Sequence, residues 1–173
     1  RQIGVLHERV FPAGALMTGR GPQVGELTPI NQLLAFDNSQ ITLGDGRRSS
    51  LLLFVSPSCP VCKTLLPIIN SVERSEARHH PLQVVLASDG DTREDRQRHL
   101  EFINAHNLAI GLYVISKRLG LAFVVEKLPF ATLIDKGGVI RAKGLVNSRE
   151  HLESLFEAHE RGVASLQEFL ASE

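Results

Sequence analysis

The sequence predicts an α/β protein: a central mixed β-sheet flanked by helices, with a hairpin added on its N-terminal side. Two buried-strand signals and a helix between them predict it. Residues 51–55 form an unbroken apolar run between Ser49-Ser50 and Ser56-Pro57, which suits a strand covered on both faces. Residues 82–87 repeat that signal, and the 3.6-residue pattern of positions 60–77 joins the two. Strands alternating with helices build a sheet with helices on its faces.

The remaining elements follow from local punctuation. Residues 33–36 and 40–43 read as two strands around an Asp37-Asn38 turn. The helix at 60–77 is interrupted by Pro67, and Asp89 or Asp91 is the expected N-cap of the next helix, whose apolar positions are Leu100, Phe102, Ile103 and Leu108. Residues 112–115 read as a short strand, and Ser116 opens a helical turn through Leu121. Strands at 131–134 and 139–142 flank a Gly137-Gly138 turn and supply the mixed edge, and Ser148 caps a last helix over 148–159.

With 173 residues, one domain with appended ends is expected. Ile3, Leu6 and Val10 mark a short helix, and the Gly- and Pro-rich stretch 18–29 reads as a connector. The division is thus 1–24 as N-terminal membrane-proximal helix and linker, and 25–173 as the domain with a C-terminal helical extension. Hydrophobic residues at 43% and charged residues at 22% exclude disorder and fibrous architectures. Lys+Arg and Asp+Glu stand at 19 each, so no net field gathers nucleic acid or an anionic membrane surface. No apolar run is long enough to span a bilayer. The start at Arg1, without an initiator Met, reads as a processed or truncated product.

Two cysteines are too few for a disulfide scaffold or an all-thiolate zinc site. Both lie in Cys59-Pro60-Val61-Cys62-Lys63, where a buried strand gives way to a helix. There, free backbone N–H groups and the positive end of the helix dipole favour a thiolate at Cys59. Cys59 is the expected nucleophile, and Cys62, one turn on and shielded, the thiol that resolves a mixed disulfide. Pro60 fits the first helical position, since its missing N–H would have no acceptor. Lys63 adds a positive charge or is simply solvated. The alternatives are half a zinc site completed by His79, His80, His99 or His106, or two inert thiols. His79-His80 otherwise suits a helix C-terminus, and Asp89-Gly90-Asp91 a cap and turn.

The strand, the Cys59-x-x-Cys62-Lys63 helix start, Pro67 and a proline at 129 ahead of the 131–135 strand together resemble the thioredoxin superfamily over about residues 25–160. The resemblance implies a thioredoxin-like fold, a cis Leu128-Pro129 bond beside the cysteines, and Leu128 and Pro129 as the substrate-binding pair. It implies no cofactor beyond a redox-active Cys59-Cys62 disulfide, and no metal. Residues 1–10 (RQIGVLHERV), 56–67 (SPSCPVCKTLLP), 86–91 (LASDGD) and 141–147 (RAKGLVN) further resemble the MauD family of methylamine-utilization accessory proteins. That resemblance implies a periplasmic disulfide oxidase or isomerase, held at the inner membrane by an N-terminal helix upstream of Arg1. Its implied partners are the methylamine dehydrogenase small subunit and a further redox partner. The Ile3/Leu6/Val10 helix reads equally as the residue of that anchor or as a surface helix.

Two positions depart from the thioredoxin pattern: Ser58 stands where thioredoxin has Trp, and Leu53 where it buries an acid. The Pro60-Val61 dipeptide carries no His to stabilise a thiolate. Glu126 and Lys127 are replacement candidates for the acid, or else paired surface charges. A peroxiredoxin-like peroxidase is the second reading: Ser56 fits its pattern and Leu52 breaks it. A chaperone-like binding module with a structural disulfide is the third.

Overall fold

The computed structural model describes residues 20–90 and 92–160. The helix expected over residues 1–10, the extension beyond residue 160 and Asp91 as a cap lie outside them. Five strands form the central sheet: β3 (Ser49–Phe54), β4 (Leu82–Ser88), β5 (Tyr113–Ile115), β6 (Phe130–Ile134) and β7 (Ile140–Leu145), in the order β5-β4-β3-β6-β7. β4 runs parallel to both β3 and β5, whereas β6 runs antiparallel to β3 and to β7. β3 is therefore central, and Leu51, Leu52 and Leu53 are all at most 1% exposed. A covered strand reads as continuous apolar sequence because both of its faces meet core. The N-terminal hairpin, β1 (Gln32–Leu34) and β2 (Gln40–Thr42), forms a separate two-stranded sheet; Asn38, at its turn, has φ 69°.

Alternation along β3 divides the core. Leu51, Leu53 and Val55 face α1 (Pro60–Glu76), α2 (Arg93–Ala105) and α4 (Arg149–Glu160), meeting Leu65, Ile69, Phe102 and Leu152. Leu52 and Phe54 face the hairpin and the short α3 (Lys117–Ala122), meeting Leu33, Ile41, Leu119 and Phe123. The stripe Cys62, Leu65, Leu66, Ile69 and Val72 has the spacing of one helix face, which is why α1 lies flat on the sheet. That helix runs unbroken through Pro67, contrary to the expected interruption: the ring sits on the exposed side, and the packing of the opposite face, Leu65, Leu66, Ile69 and Val72, carries the helix past the backbone bond lost there.

Other expectations hold or shift by one to three residues. The N-cap of α2 is Thr92, not Asp89 or Asp91: its hydroxyl accepts from the Asp95 N–H at 3.1 Å while the Asp95 carboxylate accepts from the Thr92 N–H at 3.0 Å. Two orphan donors are satisfied reciprocally. Leu112 belongs to a 3₁₀ turn ahead of β5. Ser116 caps α3, accepting from the Leu119 N–H at 3.1 Å, and Ser148 accepts from the His151 N–H at 3.3 Å. The connector continues along β7, where Gly25 N–H donates to the Ile140 carbonyl at 2.8 Å and Thr28 N–H to that of Gly138 at 2.8 Å.

Candidate active site

Strand register gathers the site at one end of the sheet. Phe54, the last residue of β3, stands opposite Ala87 near the end of β4 and opposite Phe130 at the start of β6. The chain leaving β3 toward the cysteines, the turn after β4 and the segment entering β6 therefore emerge together. Leaving β3, it makes a tight turn: Ser58 N–H donates to Ser56 Oγ at 3.3 Å, the two hydroxyls lie 3.0 Å apart, and Cys59 N–H donates to the Ser56 carbonyl at 3.1 Å.

Cys59 is the N-cap of α1, with Pro60 in the first turn. Its Sγ accepts from the Cys62 N–H at 3.2 Å, so one of the helix's orphan donors points at the first sulfur. Cys59 and Cys62 are joined as a disulfide, with Cα atoms 5.3 Å apart. The two sulfurs differ in access: Cys59 is partly exposed, while Cys62 is 0% exposed and belongs to the core cluster that also holds Leu53, Val55, Leu65 and Ala131. Leu53 thus places an aliphatic wall on the Cys62 side of the sheet. Glu126 does not stand in for an acid there; it forms an ion pair with Arg20 in which both side chains are exposed. Val61 and Lys63 are exposed on the first turn of α1. Among the described residues, no group of three or more His, Cys, Asp and Glu is placed to hold a metal.

Leu128-Pro129 is a cis peptide bond, Leu128 is 38% exposed and Pro129 is buried. The Pro129 carbonyl accepts from the Val146 N–H at 3.0 Å, tying the approach to β6 down from behind. Beside Leu128 a cleft of about 270 Å³ opens between the ends of β3 and β4, the β4–α2 turn and α3.

His99, which the sequence offered only as a metal-ligand candidate, supports that turn. It is 1% exposed, and its Nε2 lies 3.1 Å from the Asp89 carbonyl. A carbonyl can only accept, so Nε2 carries the proton and Nδ1 accepts from the Tyr113 hydroxyl at 2.7 Å. Burial drives the His99 pKa down and pushes that of Tyr113 up, keeping the imidazole neutral and the phenol protonated. Periodicity gives no hint of this pair, since a His between Arg98 and Leu100 reads as surface. His79 and His80 are exposed past the end of α1, and His106 stacks edge-on against Phe102 at 4.8 Å.

No family model matches the chain. Over 175 residues it is 46% identical to the methylamine utilization protein MauD of Paracoccus denitrificans, spanning 99% of this chain and 84% of that one. It is 45% identical to the protein of the same name from Methylorubrum extorquens, over 99% and 82% of the two chains. The chain belongs to the MauD family. Among solved structures, this MauD-family chain superimposes on the thioredoxin domain of a thiol-disulfide oxidoreductase from Bacteroides vulgatus with a TM-score of 0.63, at 16% identity, over 83% of this chain and 99% of that one. StoA of Bacillus subtilis gives 0.59 at 20% identity, over 79% and 98%. At such identities the likeness is one of fold: the thioredoxin-like fold. MauD membership, that fold and the Cys59-Cys62 pair together make the protein a thiol–disulfide oxidoreductase.

Proposed function

We propose that Cys59 is the exchanging sulfur, Cys62 the resolving one, and Leu128-Pro129 the edge against which a protein substrate lays its backbone. The disulfide itself does the redox work, with no separate cofactor. One observation carries the reading: the partly exposed member of the pair is the helix N-cap, with an amide aimed at its sulfur, and the other is fully buried in the hydrophobic core.

In the oxidising direction a substrate thiolate attacks Cys59 Sγ, the Cys59–Cys62 bond breaks and Cys62 leaves with the electron pair, taking up a proton. A second substrate thiolate then attacks the substrate sulfur of the mixed disulfide, and Cys59 departs as a thiolate favoured by the helix N-terminus. The substrate gains one disulfide, and the protein is left as the dithiol for its redox partner to reoxidise. Isomerisation begins from that dithiol, with Cys59 attacking a wrong pairing.

On this reading the substrate is the methylamine dehydrogenase small subunit, and the protein works in the periplasm, held at the inner membrane on its N-terminal side, with residues 1–24 leading into a domain of residues 25–173. The methylamine-utilization name of the curated relatives supports the pathway, and their length beyond the matched region leaves room for an anchor. Among the described residues no helix is long and apolar enough to cross a membrane.

A Cys62→Ser variant tests the assignment. Expressed with the small subunit, it is expected to accumulate a mixed disulfide through Cys59 that dithiothreitol releases; a variant that traps nothing, or traps through another residue, contradicts it.

A further inference from the structure

The α3–β6 loop contains a residue in the wrong backbone region for its type. After α3, Val125 N–H donates to the Gly120 carbonyl at 3.0 Å and Val124 N–H to that of Leu121 at 3.1 Å, the paired bonds of a Schellman ending. The position between helix cap and exit is left-handed and normally taken by Gly; here it is Val124, with φ 53°. A β-branched residue there is strained, and such strain persists only where the surroundings over-determine it, most often at functional sites.

The surroundings do so from the N-terminal side. Arg20 pairs with Glu126, and its carbonyl accepts from the buried Lys143 Nζ at 2.7 Å. Gly21, at φ 74°, lies so close that a Cβ there would be 2.5 Å from the Phe123 carbonyl oxygen. The connector straps the loop in place. What the turn delivers is Val125, Glu126 and Leu128 to the wall of the cleft beside the cis bond. Its apolar lining is Phe54, Val55, Ala87, Leu121, Val125 and Leu128, with Leu121 69% exposed. Asp89, Lys117 and Glu126 at its margin carry both signs, so the cleft does not select an anion. At about 270 Å³ it is smaller than the roughly 300–1,000 Å³ that encloses a small-molecule ligand, and it suits a side chain from a docked polypeptide.

We propose that this cleft is a specificity pocket for an apolar side chain next to the reacting cysteine of the protein substrate, with Leu121 and Val125 as its wall and the strained Val124 turn as the device that builds it. The proposal rests on the roles of Cys59 and Leu128 given above and adds the chemical class of what lies beside the substrate sulfur.

Two peptides test it, each with one cysteine in mixed disulfide with glutathione, flanked by leucines in one and by serines in the other. Exchange with the reduced protein is expected to be about tenfold faster for the leucine peptide, the scale of one apolar side chain in a pocket. In Leu121→Ser that ratio falls to about one or two. In Val124→Gly the ratio is kept, because Gly takes the same left-handed turn and Val124 is not part of the lining, while Tm stays level or rises by about 2–4 °C as the strain is relieved. A wild-type ratio near one, or a Leu121→Ser ratio equal to the wild-type's, overturns the pocket. Oxidised glutathione, which presents no such side chain, separates the two levels: if the wild-type protein exchanges with it but shows no peptide preference, only the pocket fails. If it does not exchange at all, the Cys59 assignment fails and the pocket with it.

Discussion

Replacing Cys59 with serine abolishes disulfide exchange, lowering the rate at least about a thousandfold, a modest figure beside the roughly 10⁶-fold seen on deleting a covalent nucleophile. A hydroxyl neither ionises near neutral pH nor forms the bond that Cys62 must resolve. Without the cross-link between positions three apart, the chain-entropy account removes at most about 2 kcal/mol, since so short a loop was inexpensive to close. The variant therefore stays folded, with Tm lower by roughly 4–8 °C. Stopped-flow exchange with a peptide disulfide, alongside thermal unfolding, separates the two effects. A folded Cys59→Ser protein that still exchanges through Cys62 contradicts the division of labour between the sulfurs.

The second large effect is structural. His99→Ala leaves the Tyr113 hydroxyl and the Asp89 carbonyl without their partner and opens a cavity under the β4–α2 turn. Unsatisfied buried groups cost about 1–3 kcal/mol each, so a loss near 3 kcal/mol and a Tm lower by roughly 6–12 °C are expected. The deficit depends on pH in a defined direction. Burial holds the folded-state pKa of His99 below its ordinary 6.5, against the smaller pull of Asp95 and Asp89 upward and alongside the push of Arg98 downward. As pH falls below about 6.5 the unfolded chain takes up a proton that the folded protein does not, so the His99 contribution is complete above that value. It then declines by up to about 1.4 kcal/mol per pH unit until His99 protonates in the fold. His159, also held low by burial, is present in both proteins and cancels in the difference. Denaturant melts of both proteins from pH 7.5 to 5 should show the gap narrowing on the acid side; a constant gap contradicts a neutral buried His99.

The parts of the site legible in the sequence are those whose signal is local. The uninterrupted run through Leu51, Leu52 and Leu53 identifies the central strand because both sheet faces act on consecutive residues. The cysteine spacing after it places Cys59 at a helix start through backbone geometry alone. Pro129 stood out through resemblance. The cap of α2 is ambiguous in sequence because Asp91 with Glu94 and Thr92 with Asp95 have the same cap-to-acid spacing, and it is the folded backbone that closes the box with Thr92 and Asp95. His99 and the cleft are different, since their meaning lies in partners brought by the fold. The ring is defined by a carbonyl ten residues before it and a phenol fourteen after it. Leu121 and Val125 belong to an apolar stretch from Leu119 to Val125, longer than a six-residue helix can bury, and that excess was the available clue to a functional loop. Arg20 and Gly21, read as plain connector, serve as the strap that holds it.

Equilibration of the protein in glutathione buffers of graded redox ratio, with the Cys59–Cys62 state read by acid quench and alkylation, decides whether the pair turns over and which sulfur leads. A single reversible two-electron transition is expected, in which partial alkylation of the reduced protein labels Cys59 well before Cys62. A pair that stays oxidised across the whole range, or a reduced form in which Cys62 reacts first, would contradict it.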